Sequence, residues 1–468
     1  MQESRDLETK TKIGFSKRLM RNFASGLILT CIPNLVFAQS LIRDAEIETV
    51  IRSYSDPLFV AAGLSPKDVK LGLVSDRSLN AFVTDGQKMY LNTGLILEAR
   101  TPNQLKGVIA HETGHIAGGH LARSSEAQRN AMVPAYVTIA LGLLAIASGA
   151  SDAGAALLAS SQQFALLSFF TYTRVQEASA DQAALTYLET THQSGQGLVT
   201  FFEKFRYMEV MAEARREPYF RSHPLSSSRI SALESRISRS QYKAAADSAE
   251  DIRNLQLIQA KIQGFLYTSE QTFFKYPPSD RSIIARYARA IAFYRAPDIE
   301  MATGLVRGLI DDEPNNPYFQ ELMGQIYFEN DQSTLALPYY QKSVELAPDS
   351  ALLRIGYART LINIAGAANY ELAEAELLTA LRLEEDNAFA WNQLAVVADR
   401  TGKTGLARLA TAEEAFALGD MQRANRFAQV ARRNFERSAP QWQRASDIVT
   451  ITDPLVARMI RRGDASPR

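Results

Sequence analysis

The chain has 468 residues, too long for one ordinary domain and enough for two or three. A hydrophobic share of 46% with 22% charged residues excludes extended disorder. Lys+Arg and Asp+Glu both total 51, so there is no surplus positive charge of the kind a general nucleic-acid binder carries, and no nucleic-acid partner is expected.

The N-terminal stretch reads as a signal peptide over residues 1–38. Lys17, Arg18 and Arg21 precede an apolar run from Phe23 to Phe37, and Val36-Phe37-Ala38 places small residues at a cleavage site. Pro33 and the shortness of the run argue against a spanning helix, and Met20 is an alternative start. Cys31 is the only cysteine, so no intrachain disulfide exists, and cleavage after Ala38 would leave none at all. That suits an oxidising compartment, and export is expected.

From Leu41 the pattern predicts a helix, then β-rich runs at 69–76, 79–84 and 88–93, with Asp85-Gly86 as the turn of a hairpin between the last two. A further helix follows, with Asn103 as its cap and Leu105, Val108, Ile109 and Ile116 on its apolar face. Residues 130–173 hold one charged residue, Asp152, and the uncharged run 131–150 is interrupted by Pro134. A lid or plug over a site is the reading preferred to membrane insertion, because the segment separates two halves of one motif. Residues 174–265 are again helical in pattern, and a break at Lys275–Asp280 reads as a boundary.

Beyond it the chain repeats. Ala290, Phe293, Ala302 and Pro314 recur 34 residues on as Gly324, Tyr327, Ala336 and Pro348. A third copy carries Ala358, Leu361 and Ala373 with extra residues near Gly366–Asn369; a fourth carries Trp391, Leu394, Ala395 and Ala407. Small residues where helices cross, large ones in the neighbour's groove and Pro at the end form the tetratricopeptide signature. Gly419, Ala424, Ala428 and Ala431 mark a degenerate capping unit. The expected domains are 39–265, 266–445 and a tail over 446–468.

The segment VIAHETGHIAGGH (108–120) contains HExxH as His111, Glu112 and His115. On a helix, positions i and i+4 lie within about 40° of each other, so both imidazoles face one ion, while Glu112 reaches a metal-bound water without being a ligand. Zinc lowers the pKa of that water to about 7, and the carboxylate takes its proton. A catalytic zinc needs a third protein ligand. His120 lies about 180° around the helix from His111 and is read as a packing or hydrogen-bonding residue. Glu177 in RVQEASAD is the candidate, with Asp181 on the same face to orient a histidine or basic group; two solvated carboxylates are the plain alternative. His223, before Pro224, is either a surface-loop histidine, an oxyanion stabiliser or a fourth metal ligand that holds the site shut.

The segments HETGH, EASAD and SHPLSSSR, after NAFVTDGQKMYLNTGLI (80–96), resemble the metallopeptidase family that includes HtpX and the CaaX prenyl endopeptidases. An exported peptidase followed by tetratricopeptide repeats is similar to its BepA-like members. The resemblance covers about 45–240. It implies His111, His115 and Glu177 as zinc ligands, Glu112 as catalytic base and His223 as a residue able to coordinate zinc and keep the site latent. It also implies a lid or plug at 130–173, the counterpart of the HtpX membrane hairpin, and a substrate-pairing edge strand around Met89–Asn92. The implied role is degrading unfolded or misassembled outer-membrane proteins and helping their assembly, with the β-barrel assembly machinery met through the repeats.

The fold expected is therefore mainly α (α+β): a zincin-type helical metallopeptidase domain with a small sheet, then an α-solenoid. Rival readings are an HtpX-like protease with 131–170 inserted in a membrane, and a non-catalytic repeat chaperone or scaffold.

Overall fold

The computed structural model describes residues 41–122, 132–147, 151–211 and 217–462. Residues 1–38, expected as a signal peptide, and the last six residues of the expected tail lie outside the described residues. Four short strands, β1 (Leu41–Ile42), β2 (Lys70–Val74), β3 (Ala81–Thr84) and β4 (Lys88–Asn92), form one sheet in the order β1-β2-β4-β3. The hairpin expected around Asp85-Gly86 is present: β3 pairs antiparallel with β4, Ala81 opposite Leu91 and Thr84 opposite Lys88. β4 then runs parallel to β2, Lys70 opposite Lys88 and Val74 opposite Asn92.

That register overturns one expectation. The strand around Met89–Asn92 is interior to the sheet, and the open edge beside it is β3. The reason is packing: Met89 and Leu91 are fully buried on one face, and Tyr90 on the other stacks on Phe82 at 5.2 Å and covers Gly72, where a Cβ would lie 2.5 Å from the ring. A strand with both faces occupied belongs in the middle.

Helices α1 (Ala45–Ala61), α2 (Thr93–Glu98), α3 (Pro102–Ala117), α4 (Val133–Ala147), α5 (Ser151–Thr190), α6 (Gln196–Lys204), α7 (Pro218–Ser222), α8 (Ser227–Ile237) and α9 (Ala249–Leu266) complete the first part. The cap of α3 is Thr101, whose Oγ1 accepts from the Gln104 amide, with Pro102 in the first turn. Asn103, expected as that cap, instead ties α3 to α6: its Oδ1 accepts from Gly197 N at 2.7 Å and its Nδ2 donates to Ser194 O at 2.8 Å. α4 and the first half of α5 form a helical hairpin whose α4 exposes Val133, Tyr136, Val137, Leu141, Leu143 and Leu144. Among the described residues no helix is long and apolar enough to cross a membrane.

The repeats follow as helix pairs after α10 (Ser269–Lys275). These are α11 (Ile283–Arg295) with α12 (Ile299–Asp312), α13 (Pro317–Glu329) with α14 (Ser333–Leu346), and α15 (Ala351–Ile364) with α16 (Ala367–Leu383). α17 (Ala388–Arg400) with α18 (Thr404–Ala417) and α19 (Met421–Arg432) with α20 (Pro440–Arg462) complete the array. The small positions are where helices meet: a Cβ on Gly324 would lie 2.8 Å from the Tyr340 ring, and Ala302, Ala336 and Ala373 are fully buried. The added residues of the third repeat make a turn in which Ala365 and Gly366 both take positive φ. α20 runs straight through residue 446, and buried Ala445, Ile448 and Val449 bind it to α18 and α19, so a helix stands where a tail was expected.

The two parts share α9. Leu255, Ile258 and Ile262 belong to the core of the first part, and Leu257 and Ala260 to the core of the first repeats. α1 also meets the array: Glu46 accepts from Tyr287 Oη at 2.7 Å, and Lys261 on α9 lies 2.8 Å from Asp44, 3.4 Å from Glu46 and 3.5 Å from Glu321.

Candidate metal centre

α3 and α5 cross with almost no space between their backbones. A Cβ on Gly114 would lie 2.9 Å from the Ala180 carbonyl oxygen and 3.0 Å from its Cα, so the contact requires glycine on one side and a small residue on the other. This crossing sets His111 and His115 on α3 against Glu177 and Asp181 on α5. His223 enters from the segment between α7 and α8, its amide donating to Tyr219 O at 2.8 Å and its ring packed against that of Tyr219 at 4.8 Å, tilted by 30°.

The donor atoms converge. His111 Nε2 lies 3.1 Å from His115 Nε2, 3.4 Å from His223 Nδ1 and 3.4 Å from Glu177 Oε2. Glu177 Oε1 lies 3.4 Å from His115 Nε2 and 3.1 Å from His223 Nδ1. All four residues are buried, with one ligand atom from each within 4.8 Å of the others. Ligands about 2.0–2.1 Å from a tetrahedral ion sit about 3.3 Å apart, so these separations are those of a coordination shell. Three imidazoles and a carboxylate this close, away from water, fit a metal ion in their midst.

Glu112 stands beside this group rather than in it. It is fully buried, and neither of its carboxylate oxygens has a hydrogen-bond partner; His223 Nε2 lies 3.4 Å from Oε1. Burial raises its pKa above the ordinary carboxylate range. An orphaned buried carboxylate next to a metal site is poised to accept a proton.

Two further residues complete the network. Arg229 on α8 grips Asp181 with both prongs, Nε at 2.7 Å and Nη2 at 2.8 Å, and places Nη1 3.0 Å from Glu177 Oε2. Asp181 also lies 3.0 Å from His111 Nδ1, so it orients a histidine and a basic group at once. His120 Nδ1 lies 3.0 Å from His115 Nδ1, which makes it a hydrogen-bonding partner of a cluster histidine. Arg229 escaped the sequence reading, although an arginine on the apolar face of an amphipathic helix, six residues past His223, was a usable signal. Tyr219, buried with its hydroxyl unpartnered against His223, carried none.

The charges follow from this packing. Burial opposes protonation of His111, but Asp181 and Glu177 outweigh it and bring its pKa to about 9. Burial and the adjacent charges of His111 and His223 drive His115 down to about 2. Glu177, although buried, is held well below the ordinary carboxylate value by His223 and His111.

A comparison with known proteins agrees with the geometry. Residues 42–237 match the model of peptidase family M48. The chain is similar to the beta-barrel assembly-enhancing protease of Yersinia pestis, 24% identical over 334 residues that cover 69% of this chain and 66% of that one. It is also similar to the putative beta-barrel assembly-enhancing protease of Vibrio cholerae, 26% identical over 60% of this chain and 59% of that one. The metalloprotease LoiP of Escherichia coli is 30% identical over 178 residues, 37% of this chain and 64% of that one. The chain thus spans 59% to 66% of the length of these relatives. The M48 match carries all the residues of the cluster and stops short of α9.

Proposed function

We propose that this chain is a zinc-dependent endopeptidase, held latent by His223, that acts in the quality control and assembly of outer-membrane β-barrel proteins. The observation that carries the reading is the convergence of His111, His115, Glu177 and His223, one donor atom from each within 4.8 Å of the others, beside the Glu112 carboxylate, which has no hydrogen-bond partner. Zinc bound there would supply Lewis acidity toward a scissile carbonyl and acidify a water molecule. Glu112 would take the proton of the attacking water at its carboxylate and pass it to the leaving nitrogen. Arg229 and Asp181 would hold Glu177 and His111 in register through the reaction. His223 supplies a fourth donor, and a catalytic zinc keeps one position open, so His223 must withdraw before substrate enters.

An extended substrate would add to the open edge of β3, where alternate main-chain groups have no partner strand. The hairpin of α4 and α5 would serve as lid or plug, and export to the periplasm through residues 1–38 would place the enzyme beside its substrates. The repeats would hold unfolded or misassembled outer-membrane proteins, or the β-barrel assembly machinery, which accords with the names of the relatives and with the surfaces repeat arrays present.

The deciding experiment compares residues 39–468 with Glu112→Gln and His223→Ala variants, using β-casein and an unassembled outer-membrane barrel as substrates. The reading requires one zinc per chain, no cleavage by Glu112→Gln and faster cleavage by His223→Ala. Zinc-free protein, or cleavage that survives Glu112→Gln, would leave a non-catalytic repeat chaperone as the better reading.

A further inference from the structure

The first helices of three successive repeats, α13, α15 and α17, lie side by side on the face that such arrays present to partners. Arg359, at the middle of α15, sits between two aromatic rings from its neighbours. Its guanidinium carbon lies 4.9 Å from the Phe328 ring centre on α13 and 5.3 Å from that of Phe389 on α17. Tyr340 forms the floor: it is buried, and a Cβ on either Gly324 or Gly356 would lie under 3 Å from its ring, so two glycines let α13 and α15 close on it. The arrangement is therefore built by the packing of three repeats and is not one loose side chain.

What is missing is an anion. Among the described residues Arg359 makes no hydrogen bond and no ion pair, unlike Arg354, which is matched with Glu376, Arg423 with Glu414 and Arg444 with Glu413. Glu329, next to Phe328, is already engaged by Tyr294 and by Gln325 Nε2. A guanidinium stacked on aromatic faces keeps its N–H edge free and pre-oriented, which is the geometry of bidentate carboxylate recognition. Phe389 remains 47% exposed beside it, an apolar surface adjoining the charge.

We infer that Arg359, with Phe328 and Phe389, is a receptor for an acidic side chain of a peptide segment laid across the repeats, with apolar residues before and after the acid. Aromatic surface lies on both sides of the arginine along the array, so the chain continues past the acidic residue in both directions. A chain end would occupy one side alone. The site gives chemical content to the proposed role of the repeats and stands apart from the metal centre, so loss of binding and loss of cleavage are separate readouts.

The test is fluorescence anisotropy on the full mature chain carrying Glu112→Gln, so that turnover of the probe does not intrude. The probes are nine-residue peptides, acetylated and amidated, with a central Glu flanked two residues away on each side by Phe, and the same peptide with central Gln. The Glu peptide should bind at least tenfold more tightly, and the difference should shrink as salt rises. Arg359→Gln should erase the difference while leaving the Gln peptide unchanged, and Arg359→Lys should restore only part of it. Phe389→Ala, at an exposed ring that the fold does not need, should weaken the Glu peptide several-fold with an unaltered melting temperature. Equal binding of the Glu and Gln peptides by the parent chain would overturn the proposal. So would discrimination that persists in Arg359→Gln, or a central-Gln peptide with a free C-terminal carboxylate that binds as well as the Glu peptide.

Discussion

Gly114→Ala is the sharpest test of how the metal centre is assembled. The added methyl would lie 2.9 Å from the carbonyl oxygen and 3.0 Å from the Cα of Ala180, and both are backbone atoms of α5 that have no rotamer to change. Ordinary contact is near 3.4–4 Å, so α3 and α5 must separate by about 0.5–1 Å, and overpacking of this kind costs about 1–3 kcal/mol. At about 2–4 °C per kcal/mol for a part of this size, the melting temperature should fall by about 2–12 °C. The larger effect should fall on the metal. His111 and His115 stay on α3 while Glu177 moves with α5, so the 3.4 Å separations between them widen by more than the roughly 0.2 Å a zinc site tolerates. Zinc affinity, measured by competition with a chromogenic chelator, should drop at least tenfold. Gly119→Ala is the control: Gly119 has φ +60 and nothing within 4 Å, so the substitution costs about 1 kcal/mol of backbone strain without touching the ligands. Gly114→Ala protein that binds zinc like its parent, or a Gly119→Ala protein that loses it equally, would refute the argument.

Other consequences are open to the same kind of measurement. Arg229→Met should leave Asp181 and Glu177 buried without their cation, lowering stability by about 3–5 kcal/mol in urea unfolding; Arg229→Lys should recover only part, because a single ammonium cannot replace the two-pronged grip. At the junction, burial lifts the pKa of Glu321 to about 7 despite Lys261. A carboxyl whose folded pKa is raised stabilises fully below its unfolded value and loses that contribution as pH rises through 7. Glu321→Gln should therefore match its parent near pH 4.5 and exceed it in melting temperature at pH 8; a deficit at pH 8 would show that the ion pair with Lys261 outweighs burial. Where β4 meets the start of β3 the Asn92 backbone N–H donates to Asn80 O, so the pairing alternates and Val83 in β3 turns its own N–H away from β4. Val83→Pro should thus keep the sheet, judged by circular dichroism, and cut casein cleavage about tenfold; undiminished cleavage would remove β3 as the substrate-pairing edge.

Periodic features were open to sequence reading because their signal lies within one turn or one repeat. The i, i+4 pairs His111/His115 and Glu177/Asp181 share helix faces by local geometry alone, and the 34-residue recurrence of Ala290 and Phe293 as Gly324 and Tyr327 needs only a self-comparison. The hairpin of β3 and β4 was visible in its turn residues. The place of β4 in the sheet was not, because a strand's neighbour on its second edge is chosen by what covers both faces, and that depends on Tyr90 meeting Phe82 and Gly72. The α3 cap was misplaced because Asn103 and Thr101 have similar local propensity, and only the arrival of Gly197 and Ser194 gives Asn103 other partners.

The metal centre divides in the same way. Sequence alone determined which residue types face together on α3 and on α5, since each pair lies on a single helix. Tertiary structure decided that Gly114 against Ala180 brings those two faces together, that His223 Nδ1 arrives 3.4 Å from His111 and 3.1 Å from Glu177, and that Arg229 spans both carboxylates of α5. Those choices are made by backbones and side chains that are tens of residues to more than a hundred apart in the chain, where no local periodicity records them and only close packing does.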